Sequence, residues 1–283
     1  MSIRLPRQAG QFYSNSEAIL KRDIEKCFLS SLGPGSIPHL ANRPLSNLVV
    51  LVSPHAGYMF SGPVAAHGFA LAAISGTPDS VIILGPNHTG LGSGISIVTG
   101  GTWRTPLGDA QVDTDLAGSI QSSSRLIDID DKAHLYEHSI EVQLPFLQYV
   151  YGPNLRFVPV CMMLQDLVSS RDIGEAIAKS CSGKNVLIVA STDLSHYQPQ
   201  KTAEELDKKA IDAILRLDEI GLQNSVEAYG LSMCGYGPVS AAIIASKELG
   251  AAKSKCLSYH TSGDITGDRS SVVGYCSIAI TRN

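Results

Sequence analysis

The chain has 283 residues, a net charge of -4 and 44% hydrophobic residues, which is the composition of an ordinary globular protein. It has no run of five like charges, and no apolar stretch approaches the roughly 20 residues of a membrane-spanning helix. These features argue against nucleic-acid binding and against a membrane protein. Because the first residues also lack a signal-peptide core, we expect a cytoplasmic protein.

Apolar runs and helical patterns alternate along the chain. Helices are predicted at 14–32, 62–75, 138–150, 170–181, 201–217 and 237–249, where apolar side chains recur at helical spacing. Strands are predicted at 47–52, 81–84, 94–99, 155–160, 185–190, 255–260 and 271–280. The last two strands follow each other without a helix, which indicates an antiparallel hairpin. The pattern predicts an α/β fold, with residues 1–283 as a single domain that has a central mixed β-sheet flanked by helices.

Three of the predicted strands run directly into a histidine. LVVLVSPH ends at His55, VIILGPNH ends at His88, and VLIVASTDLSH ends at Asp193 and His196. In open α/β sheets the ligand site lies beyond the carboxyl ends of the strands. We therefore predict that these four residues share one site. His134, by contrast, lies in a polar loop and is expected to be solvated.

Cys234 differs from the other five cysteines because it comes just before a predicted helix. A thiol at a helix N-terminus has a lowered pKa and tends towards the thiolate. Beside imidazoles, a thiolate can bind a metal or act as a nucleophile; an inert buried thiol is the alternative. No two cysteines lie within four residues of each other, so there is no CxxC motif, and we expect Cys234 to form no disulfide.

His138 and Glu141 lie at the start of a predicted helix and, being three residues apart, share one helical face. Ile140, Leu144 and Leu147 form a different, apolar stripe that can bury this helix. His138 and Glu141 are therefore expected to point at the cleft. HxxE alone is a weak motif, and a solvated helix face is the alternative.

Five stretches together resemble the motifs of the Memo family, which is named for a mediator of ErbB2-driven cell motility and has bacterial and archaeal relatives. The stretches are PHAGYMFSGP, GPNHTG, EHSIEVQLPFLQ, STDLSHY and MCGYGP. The resemblance runs in order from residue 4 to residue 280, and Phe60 stands where the family often has tyrosine. It implies a fold like that of class III extradiol dioxygenases, which are non-haem iron enzymes. Tyr58, in the first motif, is expected to line the cleft.

By motif, the resemblance implies that His55, His88 and Cys234 are metal ligands and that His196 is an acid/base residue with Asp193 beside it. The dioxygenases have a carboxylate as their third ligand, whereas a thiolate favours softer metals such as copper and is itself oxidisable. The implied cofactor is Fe(II) or copper, with zinc less favoured. The bacterial and archaeal relatives also suggest radical-SAM and AMMECR1-like partner proteins.

Three functions remain open on the sequence. The first is a metal-dependent redox protein or oxygenase that acts on an unidentified small molecule or peptide. The second is a hydrolase with Cys234 as nucleophile, His196 as base and Asp193 as the group that orients the base. The third is a non-enzymatic module that binds a peptide or a partner protein. In the enzymatic readings, a hydrogen bond from His196 to Asp193 is expected to orient the imidazole.

Overall fold

A mixed sheet of twelve strands forms the centre of the computed structural model, which describes residues 2–283. The strands are β1 (Ile3–Arg4), β2 (Leu48–Ser53), β3 (Ser80–Pro86), β4 (Ile95–Ile97), β5 (Thr102–Thr105), β6 (Gly108–Val112), β7 (Asp128–Ile129), β8 (Arg156–Met162), β9 (Val186–Ser191), β10 (His196–Gln198), β11 (Ala251–Thr261) and β12 (Val272–Arg282). The α-helices are α1 (Glu17–Leu29), α2 (Tyr58–Ser75), α3 (Thr114–Ser123), α4 (Leu144–Tyr151), α5 (Leu167–Cys181), α6 (Gln200–Leu215), α7 (Glu219–Tyr229), α8 (Tyr236–Glu248) and α9 (Gly263–Thr266). Single 3-10 turns lie at Lys132–His134 and Glu141–Gln143.

The sheet has a parallel centre and antiparallel additions. Its main path is β1-β5-β6-β8-β3-β9-β2-β12-β10, and the neighbours from β6 to β2 pair in parallel. β12 runs antiparallel to β2 and forms a long antiparallel pair with β11. The predicted α/β fold with a mixed sheet, and the predicted terminal hairpin, are confirmed. The short helix α9, absent from the prediction, lies within the connection of that hairpin.

The central strands are apolar because helices cover both faces of the sheet. Every residue of β2 and of β3 is buried, as a strand between two helical layers must be. α2 contacts β2 and β12, while α8 contacts β2, β3 and β9. The parallel strands β2, β9 and β3 therefore form a rigid frame, and their carboxyl ends lie side by side at one edge of the sheet.

The predicted helix at 138–150 begins later than its sequence pattern indicates. A 3-10 turn at Glu141–Gln143 leads into α4, whose first turn contains Pro145. Residues 138 and 139 are not helical, because their N–H groups bond to the side chain of Glu137 instead.

Helices α3 and α7 and the short strands β1, β5, β6, β7 and β10 were not predicted. Within residues 2–283, no helix has both the length and the apolar character needed to cross a membrane.

Candidate metal centre

Three histidines converge beyond the carboxyl ends of the parallel strands. His55 comes two residues after β2, His88 two residues after β3, and His138 lies in the loop before the 3-10 turn at Glu141–Gln143. The ring centroid of His55 lies 5.3 Å from that of His88 and 5.2 Å from that of His138. The rings of His88 and His138 are stacked, with their centroids 4.5 Å apart. One ring nitrogen of each lies within 4.8 Å of those of the other two. These three residues are called the histidine cluster below.

His55 is fixed on two sides by residues at the end of β9. Its Nδ1 lies 2.8 Å from Oγ of Ser191, and its backbone N–H donates to the carboxylate of Asp193 at 2.8 Å. Burial, and next the charge of His138, holds the pKa of His55 well below its usual range. The ring is therefore neutral near pH 7, and Nε2 is directed away from β9.

His88 is held by a buried carboxylate. Glu137 accepts from Nδ1 of His88 at 2.9 Å and from its backbone N–H at 2.5 Å. Burial alone would raise the pKa of Glu137, but the hydrogen bond and the charge of His88 outweigh it and hold that pKa at about 2. The ionised carboxylate fixes the proton on Nδ1, so that Nε2 of His88 has its lone pair free.

His138 belongs to the cluster itself rather than to its rim. Its ring lies between two others, stacked on Phe12 at 4.6 Å and on His88 at 4.5 Å. Burial lowers the pKa of His138 to about 4, against a smaller opposing effect of the Glu137 charge. The ring is thus neutral at physiological pH and able to bind a cation.

Cys234 lies against the histidine cluster. Its Sγ is 3.2 Å from Nε2 of His55 and accepts the backbone N–H of Asp193 at 3.2 Å. The expected low pKa is wrong: burial, and next the negative charge of Asp193, raises the pKa of this thiol. Gly235, just before α8, lets the backbone beside Cys234 approach the end of β9 closely, because a Cβ at this position would lie 2.4 Å from the carbonyl oxygen of Ser191. Cys234 is a free thiol in the part of the chain described.

The predicted bond between Asp193 and His196 is not formed within residues 2–283. Nδ1 of His196 donates instead to the backbone carbonyl of Ser232 at 2.9 Å. The backbone N–H of His196 donates to Oγ of Ser232 at 2.8 Å. Asp193 faces His55, and burial raises its pKa to about 6. Because a carbonyl can only accept, neutral His196 carries its proton on Nδ1 and keeps the Nε2 lone pair.

Tyr58 and Glu141 do not face the histidine cluster, contrary to expectation. The hydroxyl of Tyr58 donates to the carbonyl of Val142 at 2.7 Å inside the core. Glu141 is fully buried and pairs with Arg4 at 2.5 Å and with the hydroxyl of Tyr13 at 2.6 Å. For Glu141 the cause is the late start of α4, because His138 and Glu141 would share a face only if the helix began before them.

Two further positions differ from the sequence reasoning. His134, expected in solvent, is 1% exposed, and its ring lies edge-on to Trp103 with centroids 5.8 Å apart. Glu137 and Ser191, which hold the rings of the cluster, were not singled out. Each is the first residue of a quoted motif, EHSIEVQLPFLQ or STDLSHY, but its bond to a histidine joins segments that are far apart in sequence.

The donor set fits a transition metal. Neutral imidazoles suit iron, copper and zinc, and a thiol adds preference for copper(I) or zinc. Metal–nitrogen and metal–sulfur bonds of about 2.1 and 2.3 Å place neighbouring ligands about 3.1–3.6 Å apart. The 3.2 Å between Sγ of Cys234 and Nε2 of His55 lies in this range. The three imidazoles could therefore hold a metal ion, and the thiol of Cys234 lies at a ligand-like distance from one of them.

Comparison with known proteins identifies the family. The model of the Memo-like protein family matches residues 4–279. The chain belongs to the Memo family. A MEMO1 family protein of Methanopyrus kandleri is 50% identical over 99% of both chains, and one of Methanothermobacter thermautotrophicus is 46% identical over 98% of this chain and 100% of its own. The predicted membership is confirmed.

A solved structure is similar in fold. The crystal structure of an uncharacterized protein from Escherichia coli K12 superposes with a TM-score of 0.58, covering 82% of this chain and 99% of that one. The sequences are only 12% identical, so the similarity concerns the arrangement of helices and strands alone.

Proposed function

We propose that this Memo-family protein binds a redox-active transition metal, iron or copper, through the histidine cluster, with Cys234 as a further ligand. The observation that supports it is the convergence of His55, His88 and His138, with one nitrogen of each within 4.8 Å of the others. Only His55 of the three is buried, and stacking of the rings alone would need no convergence of their nitrogens. Metal binding accounts for that convergence.

The protonation state of the rings supports the same proposal. A ligand imidazole must be neutral, and the pKa values of His55 and His138 are lowered by burial. A ligating histidine also commonly donates its second N–H to a carboxylate, as His88 does to Glu137. Both features favour metal binding near pH 7.

We propose oxidation chemistry for this centre, on an unidentified small molecule or peptide. A bound iron or copper ion would supply one-electron redox steps and a place for oxygen, which zinc does not. His196 is suited to accept a substrate proton, because Ser232 fixes its proton on Nδ1 and leaves Nε2 as the base. Asp193 contributes by orienting the backbone at His55 rather than by touching His196.

Metal content tests the proposal. Protein prepared without oxygen or chelators should carry about one iron or copper ion per chain by elemental analysis. His55→Ala and His88→Ala should carry almost none, while His39→Ala, which removes an exposed imidazole, should match the wild type. Equal metal content in all four proteins, or none in any of them after iron and copper are supplied, would overturn the proposal.

A second candidate is a metal-free thiol hydrolase. The observation in its favour is the 3.2 Å contact between Sγ of Cys234 and Nε2 of His55, with Ser191 behind the imidazole. The base would then be His55 and not His196. The raised pKa of Cys234 opposes it, because the thiolate is the nucleophile. Rapid alkylation of Cys234 by iodoacetamide at pH 7 in metal-free protein would favour the hydrolase, and slow alkylation the metal centre.

A further inference from the structure

Ser191 lies behind the histidine cluster, at the end of β9, and is fully buried. Its Oγ has three polar neighbours. The carbonyl oxygen of Ser139 lies at 2.6 Å, Nε2 of Gln143 at 2.8 Å and Nδ1 of His55 at 2.8 Å. A serine hydroxyl has one proton to donate and two lone pairs to accept with, so these three contacts use its whole capacity.

The direction of each of the three bonds follows from the partners. A carbonyl oxygen can only accept, so the serine proton goes to Ser139. The amide group of Gln143 presents its nitrogen, because the same Nε2 also donates to the carbonyl of Pro54 at 2.9 Å. Nε2 of Gln143 therefore donates a hydrogen bond to one lone pair of Ser191 Oγ. The remaining lone pair faces His55, and the bond is made only if Nδ1 of His55 carries a hydrogen.

We propose that Ser191 is a positioning residue that locks His55 in the Nδ1–H tautomer. A neutral imidazole carries one proton, so Nε2 must then hold the free lone pair. Nε2 is the atom beside Sγ of Cys234, on the side of the histidine cluster. Ser191 thus presents the lone pair of His55 to a bound metal, as Glu137 does for His88. The metal part of this inference rests on the proposed function, whereas the tautomer is a property of the metal-free protein.

Ser53 provides a matched control. It is the register partner of Ser191 across β2 and β9 and is equally buried. Among the described residues, however, its Oγ has no hydrogen-bond partner. Ser53→Ala and Ser191→Ala therefore each remove one buried hydroxyl from the same layer of the sheet, and only Ser191→Ala removes a bond to His55.

The test is ¹⁵N NMR of metal-free protein labelled at histidine, combined with metal affinity from chelator competition. In the wild type and in Ser53→Ala, His55 should show a protonated Nδ1 and an unprotonated Nε2. Ser191→Ala should show a mixture of tautomers or the opposite one, and its dissociation constant for the metal should rise about 10–100-fold.

Two results would overturn this inference. One is a wild-type spectrum with the proton on Nε2 of His55, whatever the variants do. The other is a Ser191→Ala protein whose tautomer and metal affinity equal those of Ser53→Ala. If the wild type binds no metal, the proposed function fails, and the spectra of metal-free protein still decide the role of Ser191.

Discussion

Two polar groups include residues of the 137–141 segment, and they are built differently, because one centres on the fully buried Glu141 and the other is open to solvent at His88. The Glu141 cluster consists of Glu141, Arg4, Gln8 and Tyr13. Oε1 of Glu141 accepts from the hydroxyl of Tyr13 and the N–H of Gln8, and Oε2 accepts from the guanidinium of Arg4. In the histidine cluster, each ring is held on one side and keeps a nitrogen that faces the other rings.

The difference distinguishes a structural group from the proposed metal site. Buried polar atoms normally find partners within the protein, and the Glu141 cluster follows this rule completely. In the histidine cluster, by contrast, Nε2 of His55 faces the thiol of Cys234, and the convergence of the three rings is the basis of the proposed metal site. The two clusters are also connected, because the bonds to Glu141 hold the N-terminal segment that places Phe12 on His138. The Glu141 cluster thus stabilises the fold around a site to which it contributes no ligand.

The largest expected effect is on stability, from Glu141→Ala. Removing this carboxylate leaves Arg4 as an unpaired buried charge, because its side chain is only 8% exposed. Such a change typically costs about 3–5 kcal/mol in the free energy of unfolding. Denaturant titration measures it. Tyr13→Phe removes a single bond to the same carboxylate and should cost about 1.5–3 kcal/mol. A Glu141→Ala protein as stable as the wild type would contradict the structural role of this cluster.

His88→Ala should give the opposite pattern. Its side chain is 33% exposed, and the buried Glu137 keeps the backbone N–H donors of residues 88, 138 and 139. The free energy of unfolding of the metal-free protein should therefore fall less than in Glu141→Ala. Metal affinity should fall more than about 100-fold, or about 2.7 kcal/mol. Chelator competition at pH 7 measures this. If His88→Ala instead lost stability and retained metal, the distinction between the two clusters would be wrong.

Glu137→Gln should weaken metal binding without removing a ligand. The neutral amide no longer stabilises the proton on Nδ1 of His88, and such changes behind a ligand typically cost about 10–100-fold in affinity. Isothermal titration with the metal measures the loss. Asp109→Asn, which neutralises a carboxylate that pairs with Arg104 at the surface, is the control and should bind metal normally.

The pH dependence of stability should also report on Glu137. Its pKa in the folded protein, about 2, lies below its ordinary value of 4.5, so the stabilisation is fully present above pH 4.5. It is lost as the pH falls from 4.5 towards 2. Thermal melts over this range should show a steeper loss of stability for the wild type than for Glu137→Gln, and equal slopes would contradict the assignment.

The smallest expected effect concerns the stack of Phe12 on His138. Phe12→Leu keeps an apolar side chain and removes the aromatic pair, which is typically worth about 0.5–1.5 kcal/mol. Denaturant titration should detect this loss, together with a shift in the NMR signals of the His138 ring. Phe60→Leu should leave those signals unchanged. A Phe12→Leu spectrum identical to the wild type would show that the stack does not fix His138.

The sequence predicts those parts of the site that local patterns determine. Apolar runs that end in a histidine placed His55 and His88 at the strand ends, and the structure brings them together. His138 was expected on a helix, but Glu137 bonds to the N–H groups of residues 138 and 139. Its further bonds to the distant His88, which hold it in that position, are not evident from the local sequence. The pKa of Cys234 was predicted in the wrong direction, because burial by distant segments outweighs the helix end. Tertiary contacts, which no local pattern contains, decide these features.

Anomalous X-ray diffraction from crystals loaded with Fe(II) without oxygen tests the central claim most directly. We expect one strong peak at the iron edge, about 2.0–2.3 Å from a ring nitrogen of each of His55, His88 and His138. No peak among these rings at saturating iron, or a peak bound by other side chains, would contradict it.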